Sequence, residues 1–183
     1  MKLVVITLGV VVGIVILIVG IGALLPRDHV ATVSARIGAS PVAVWAAITQ
    51  PDKFPTWRSD LTRVEMLPPT AAGPSWREHG KQGALTMAIE STDPPRRMIT
   101  RILDQNLPYG GQWEYDIVSD GADASRVTIT ERGWVSNPIF RFVSRFIMGH
   151  TATIDGYLRA LGKHFGSEAT PAVVASAGAS RGI

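Results

Sequence analysis

Cysteine is absent from this 183-residue chain. Its absence excludes disulfides, thiolate metal sites, zinc ribbons and a cysteine nucleophile, while leaving the redox compartment open. Histidine is scarce. His29, His79, His150 and His164 show neither H-x-x-x-H nor H-E-x-x-H spacing, so no metal site is expected. There is no Walker loop and no G-x-G-x-x-G, and Gly110-Gly111 reads as a turn signal; no cofactor is expected either. Charged residues make up only 18% of the chain, and the net charge is +3. Without Lys2 and Arg27 it falls to about +1, too small an excess to point to a nucleic-acid partner.

Charge is missing altogether from Leu3 to Leu25, where all but Thr7 and four glycines are Val, Ile, Leu or Ala. The 46% hydrophobic content is therefore uneven, and the remainder has an ordinary soluble composition. As a helix this run spans roughly 34 Å, enough to cross roughly 30 Å of bilayer hydrocarbon. It is longer than the apolar part of a signal peptide, about 7–15 residues. It also ends Ala23-Leu24-Leu25-Pro26-Arg27, a poor cleavage site. An uncleaved single-pass anchor is expected over residues 1–27. The positive-inside rule leans slightly toward a cytoplasmic N-terminus and an extracytoplasmic domain, because Lys2 flanks one end while Asp28 offsets Arg27 at the other. Gly9 and Gly13 have the spacing of a weak dimerisation motif, although glycine is common in membrane helices anyway.

Alternation of Ala31, Val33, Ala35 and Ile37 with polar residues predicts a half-buried strand. Ser40-Pro41 reads as an N-cap followed by proline at the first helical position, opening a short helix with Val44, Trp45 and Ile48 on its apolar face. Six strand candidates follow: Leu61–Leu67, Ser75–His79, Ala84–Ser91, Met98–Asp104, Gln112–Val118 and Arg126–Val135. Turn signals separate them, and no long helix intervenes, so an antiparallel meander is predicted. Asn137-Pro138 opens a long helical pattern to about Phe165, with Gly149 as a place for a bend or break. The Ala/Ser/Gly-rich residues 167–183 read as a disordered tail. The fold class is α+β. A sheet wrapped around one long helix buries the apolar faces of both.

Ala39 to Ile48 with Phe54 and Trp57, Leu107 to Tyr115, and Val127 to Gly133 fall in that order along the chain. They resemble the START/birch-allergen-like (SRPBCC) superfamily, in its polyketide cyclase/dehydrase and lipid-transport branch. The resemblance covers roughly Val30 to Phe165. It implies a helix-grip domain, here 28–166, in which a curved antiparallel sheet grips the C-terminal helix around a hydrophobic cavity. Members bind lipids, sterols, polyketides or other apolar molecules, and a minority are enzymes. The superfamily has no universal catalytic motif, so no catalytic residue is carried over.

Polar side chains in phase with apolar strand faces are the candidate ligand contacts. Trp76 and Glu78 share one face, Trp113 and Tyr115 another, and Glu131 lies in phase with Val127 and Ile129. Met87 lies on the apolar face of its own strand. On a continuous C-terminal helix, His150 and Tyr157 sit mid-way across the apolar face, about two turns apart. Arg141, Arg145, Arg159 and Lys163 then form an outward stripe. The bland alternatives are satisfied core residues, strand-end carboxylates reaching water, and a solvated helix face. The leading expectation is a membrane-anchored binding protein for a hydrophobic small molecule or lipid. The alternatives are a cyclase/dehydratase-like enzyme using the same cavity, and a ligand-free interaction module.

Overall fold

The computed structural model describes residues 2–81 and 83–175. The apolar run forms one helix, α1 (Lys2–Leu24). The first strand, β1, spans Asp28–Ile37, with Ala31, Val33, Ala35 and Ile37 buried. Helix α2 (Pro41–Ile48) starts as its first residues predict. The Ser40 hydroxyl accepts a hydrogen bond from the Ala43 amide at 3.3 Å, and Pro41 needs no partner for an N–H it lacks. A 3-10 helix, Pro51–Thr56, follows and buries Phe54.

Six strands then run in a meander: β2 (Leu61–Thr70), β3 (Gly73–Gly80), β4 (Gly83–Asp93), β5 (Arg97–Ile102), β6 (Tyr109–Ser119) and β7 (Ser125–Val135). All six expected strands are present. β7 returns to β1, pairing Ala31 with Glu131 and Ala35 with Val127. The sheet order is β2-β3-β4-β5-β6-β7-β1-β8, with every neighbour antiparallel. Irregular register between Leu61 and Arg63, and between Ile89 and Ser91, bends the strands locally.

The C-terminal helical pattern is not continuous. Asn137 caps α3 (Pro138–Val143), accepting at Oδ1 from the Ile139 and Phe140 amides. A π-helical turn, Ser144–Met148, follows. Gly149 then takes φ +75, a left-handed conformation that costs glycine little and stops the helix. α4 (Ala152–His164) restarts after it. The four basic residues therefore do not share one stripe, since α3 and α4 are separate helices and Arg141 turns to the end of α1.

α4 carries the buried side of the pattern, Ile154, Tyr157, Leu158 and Leu161, against the sheet and α2. Burying each such side chain contributes about 1.5–3 kcal/mol. The segment after Ser167, expected to be loose, is tied down as far as Val174, whose amide donates to the Thr32 carbonyl at 2.9 Å. Ser167 Oγ accepts from the Gly38 amide at 3.1 Å, and β8 (Ala172–Val173) pairs with β1. Short polar linkers order when a free strand edge offers them backbone partners, and β1 offers one here. The rest of the expected tail, 176–183, lies outside the described residues.

Candidate functional site

Between the sheet and α4 lies a layer of aromatic rings with Tyr157 at its centre. Trp57, Trp113 and Tyr115 approach the Tyr157 ring at centroid distances of 5.4, 5.6 and 5.8 Å, all edge-to-face. This geometry sets positive ring edges against negative ring faces. Phe54 joins the layer through Trp57 and Trp76, at 5.5 and 6.0 Å. Tyr115 and Tyr157 are buried, and burial pushes both phenols above their ordinary range. They stay neutral and protonated. Where the resemblance implies a cavity, these rings pack against one another.

Two carboxylates flank the layer, each held the same way. Glu78 on β3 accepts at Oε1 from the Trp76 indole at 3.0 Å and from Arg58 Nη1 at 2.8 Å. Arg58 also donates to Asp60 at 2.8 Å, and its guanidinium lies 5.4 Å from the Tyr157 ring centroid. Burial works against the Arg58 charge, yet Glu78 and Asp60 together more than offset it, and the group is held firmly protonated. Glu131 on β7 accepts at Oε2 from the Trp113 indole at 2.9 Å, and its Oε1 lies 3.1 Å from His29 Nε2. Both expected polar candidates are thus partly buried and hydrogen-bonded; neither is a solvent-exposed strand end.

His150 is not on α4. It sits in the break between the helical segments, and its ring stacks on His29 with centroids 4.5 Å apart. Burial, and then the neighbouring His29 and Arg145, lower its pKa. The structure brings Trp113, Tyr115, Glu131 and Tyr157 together, and places His150 beside Glu131 through His29. Trp76 and Glu78 stand at the other side of the aromatic layer. Met87 faces Trp76 across the β3–β4 ladder.

Three residues outside the sequence-based candidates complete the arrangement: Trp57, Arg58 and His29. Trp57 follows the 3-10 helix, where no periodicity marks its direction. Besides its near neighbour Asp60, Arg58 meets Glu78 on β3 from the loop before β2, and His29 meets Glu131 across the β1–β7 ladder, so neighbouring sequence holds no sign of either carboxylate pairing.

A cleft of about 620 Å³ opens on the flank between the 3-10 helix and α4. Trp57, Ser59, Gly156, Arg159, Lys163 and His164 are among its lining residues. Trp57 is half-buried, lines this cleft and at the same time packs on Tyr157. Its indole Nε1 is buried without a hydrogen-bond partner.

Residues 28–165 match the family model described as polyketide cyclase / dehydrase and lipid transport. No curated protein matches the sequence. Among solved structures, the chain resembles a START superfamily protein from Mycobacterium smegmatis, at 15% identity and a TM-score of 0.62, over 75% of this chain and 97% of that one. A conserved protein from Geobacillus kaustophilus superposes with a TM-score of 0.63 at 11% identity, covering 78% and 99%. Norcoclaurine synthase from Thalictrum flavum, in complex with dopamine and hydroxybenzaldehyde, superposes with a TM-score of 0.59 at 12% identity, covering 75% and 86%. Likeness at these identities establishes the fold.

Proposed function

This chain belongs to the polyketide cyclase/dehydrase and lipid-transport family, and from that premise we propose that it is a membrane-anchored binding protein for a hydrophobic small molecule or lipid. The observation that carries the reading is the position of Trp57. It is the partition between the flank cleft and the buried Tyr157–Tyr115 pair. An apolar ligand entering the cleft reaches the interior by swinging this one side chain, which gives up ring contacts but no hydrogen bond from its indole. Apolar burial against Trp57, Trp113 and Tyr157 supplies the affinity, and a few polar groups orient the ligand. Tyr157 and the carboxylates Glu78 and Glu131 are the polar groups in reach. Each carboxylate already accepts two hydrogen bonds, which favours orientation over proton transfer.

Support for the anchor is the exposure of α1. Leu8, Ile16 and Leu17 are each more than 60% exposed, on a helix long and apolar enough to cross a membrane. That much apolar surface is stable only when lipid covers it.

Native mass spectrometry of the full-length protein released from detergent tests the binding reading, with Gly156→Trp as the partner measurement. Gly156 lines the cleft and has open space around it, so a Trp there plugs the cleft without disturbing the core. The expected result is an apolar adduct on the native chain that the plugged variant lacks at unchanged melting temperature. No adduct on the native chain overturns the binding reading. An adduct that survives the plug overturns the route past Trp57.

A further inference from the structure

We propose that the segment Pro138–Met148 is a second membrane contact, lying in the headgroup region of the leaflet from which α1 emerges. The proposal rests on the reading of α1 as a membrane span.

Three observations place the segment there. First, the last turns of α1 and the start of α3 are packed as one piece. Ile18, Ile21 and Gly22 are the less exposed positions among the residues of α1 whose burial is described, and Leu25 continues that stripe just past the helix end. At Gly22 the contact is so close that a Cβ would lie 1.9 Å from the Pro138 carbonyl oxygen. Secondly, Arg141 fastens α3 to the point where α1 ends. Its Nη1 donates to the Leu25 carbonyl at 2.7 Å and lies 3.5 Å from that of Ala23. Carbonyls at a helix C-terminus lack partners within the helix, and a cation is favoured beside them. The depth of α3 is thus tied to the depth at which the apolar run stops.

Thirdly, the outward side of the segment is apolar where a water-facing helix would be polar. Phe140 and Ile139 are 48% and 42% exposed, Phe146 and Ile147 59% and 71%. Three of the five phenylalanines of the chain fall within it, at 140, 142 and 146. The charge fits as well. No acidic residue occurs between Glu131 and Asp155, whereas Arg145 is exposed in the middle of the segment. A short helical stretch with a bulky apolar side and basic residues matches the interface between acyl chains and anionic headgroups. Continuity with α1 selects the bilayer as the occupant over a second copy of the chain, because the exposed rings extend a surface that lipid already covers.

The cysteine-free chain allows a direct test. Full-length Ile147→Cys, Val12→Cys and Val118→Cys variants are labelled with an environment-sensitive nitrobenzoxadiazole. They are then reconstituted into phosphatidylcholine vesicles containing a minority of phosphatidylglycerol. Val12 marks the middle of α1, and Val118 is an exposed apolar position on β6. Doxyl-labelled lipids read contact with the bilayer. Labels at 147 and 12 are expected to be quenched several-fold more than the label at 118. Shallow doxyl groups are expected to act more strongly at 147, and deep ones at 12. Quenching at 12 with a water-like, unquenched label at 147 overturns the inference and leaves the anchor standing. A blue-shifted but unquenched label at 147 means that protein covers the segment, which also overturns it. An unquenched label at 12 removes the anchor itself, and the inference with it.

Discussion

Gly133 stands opposite His29 across the β1–β7 ladder, and the His29 imidazole occupies the space that a side chain at 133 would need. A Cβ built there would lie 2.7 Å from His29 Cε1 and 2.9 Å from Nε2. The pairing of His29 with Glu131, and the stacking of His150 on His29, therefore depend on the glycine directly opposite His29.

Gly133→Ala is expected to push His29 off its seat and separate it from Glu131. The cost is about 1–3 kcal/mol, the range for forcing extra volume into a packed site. A urea titration of the full-length protein in detergent measures it. Stability equal to the native chain would mean that His29 moves aside freely.

Arg58 and Glu78 form the most enclosed ion pair that flanks the aromatic layer, with each side chain only 12% exposed. Arg58→Met leaves Glu78 with the Trp76 indole alone and is expected to cost about 3–5 kcal/mol. Glu78→Gln leaves Arg58 its second partner, Asp60, and is expected to cost less, about 1–2 kcal/mol. The two urea midpoints should fall in that order. The reverse order would mean that Asp60 contributes nothing to holding Arg58.

Gly22→Val places a branched side chain where a Cβ already meets the Pro138 backbone. Backbone cannot rotate away as a long side chain can, so α3 must separate from α1. Faster tryptic cleavage at Arg141 is expected, because its guanidinium loses the carbonyls of Leu25 and Ala23. An unchanged cleavage pattern would mean that the two helices are not held by this contact.

His150 supplies a pH dependence of definite sign. Its folded pKa lies below the ordinary imidazole value of about 6.5, mainly through burial and then through His29 and Arg145; Glu131 pulls weakly the other way. The unfolded state therefore binds the proton more readily. The stabilisation is present above about pH 6.5 and is lost as pH falls through the lowered pKa. Melting temperature should drop on acidification, and His150→Phe should flatten that drop while keeping a ring over His29. An equal drop in both proteins would assign the effect to other groups.

The strands were the most legible part of the chain. Val127, Ile129 and Glu131, or Trp113, Tyr115 and Ile117, declare one face by their period of two, and the observed sheet keeps those faces together. Ser40-Pro41 and Asn137-Pro138 mark helix starts because capping is chemistry between near neighbours. The helical period from Ile139 to Leu161 was misleading. The repeat of apolar residues continues in sequence across Gly149, which the sequence marks as a place for a bend or break; at φ +75 that glycine does break the helix, and His150 leaves the face that a continuous helix would give it with Tyr157. The mutual packing of Trp57, Trp113, Tyr115 and Tyr157 is likewise a fact that no pattern carries.

The sequence by itself determined the apolar N-terminal helix, the antiparallel α+β class, the family and which faces of the strands are apolar. The helix, the class and the strand faces follow from local period, capping and composition; the family follows from the resemblance carried by Ala39 to Ile48 with Phe54 and Trp57, Leu107 to Tyr115, and Val127 to Gly133. Only the tertiary structure decided the partners. It set Arg58 against Glu78 and His29 against Glu131, laid α3 on the end of α1, and gathered Trp57, Trp113 and Tyr115 around Tyr157. Each of those contacts joins positions far apart in the chain, and contact across such distances depends on how the sheet curves and where the helices stop.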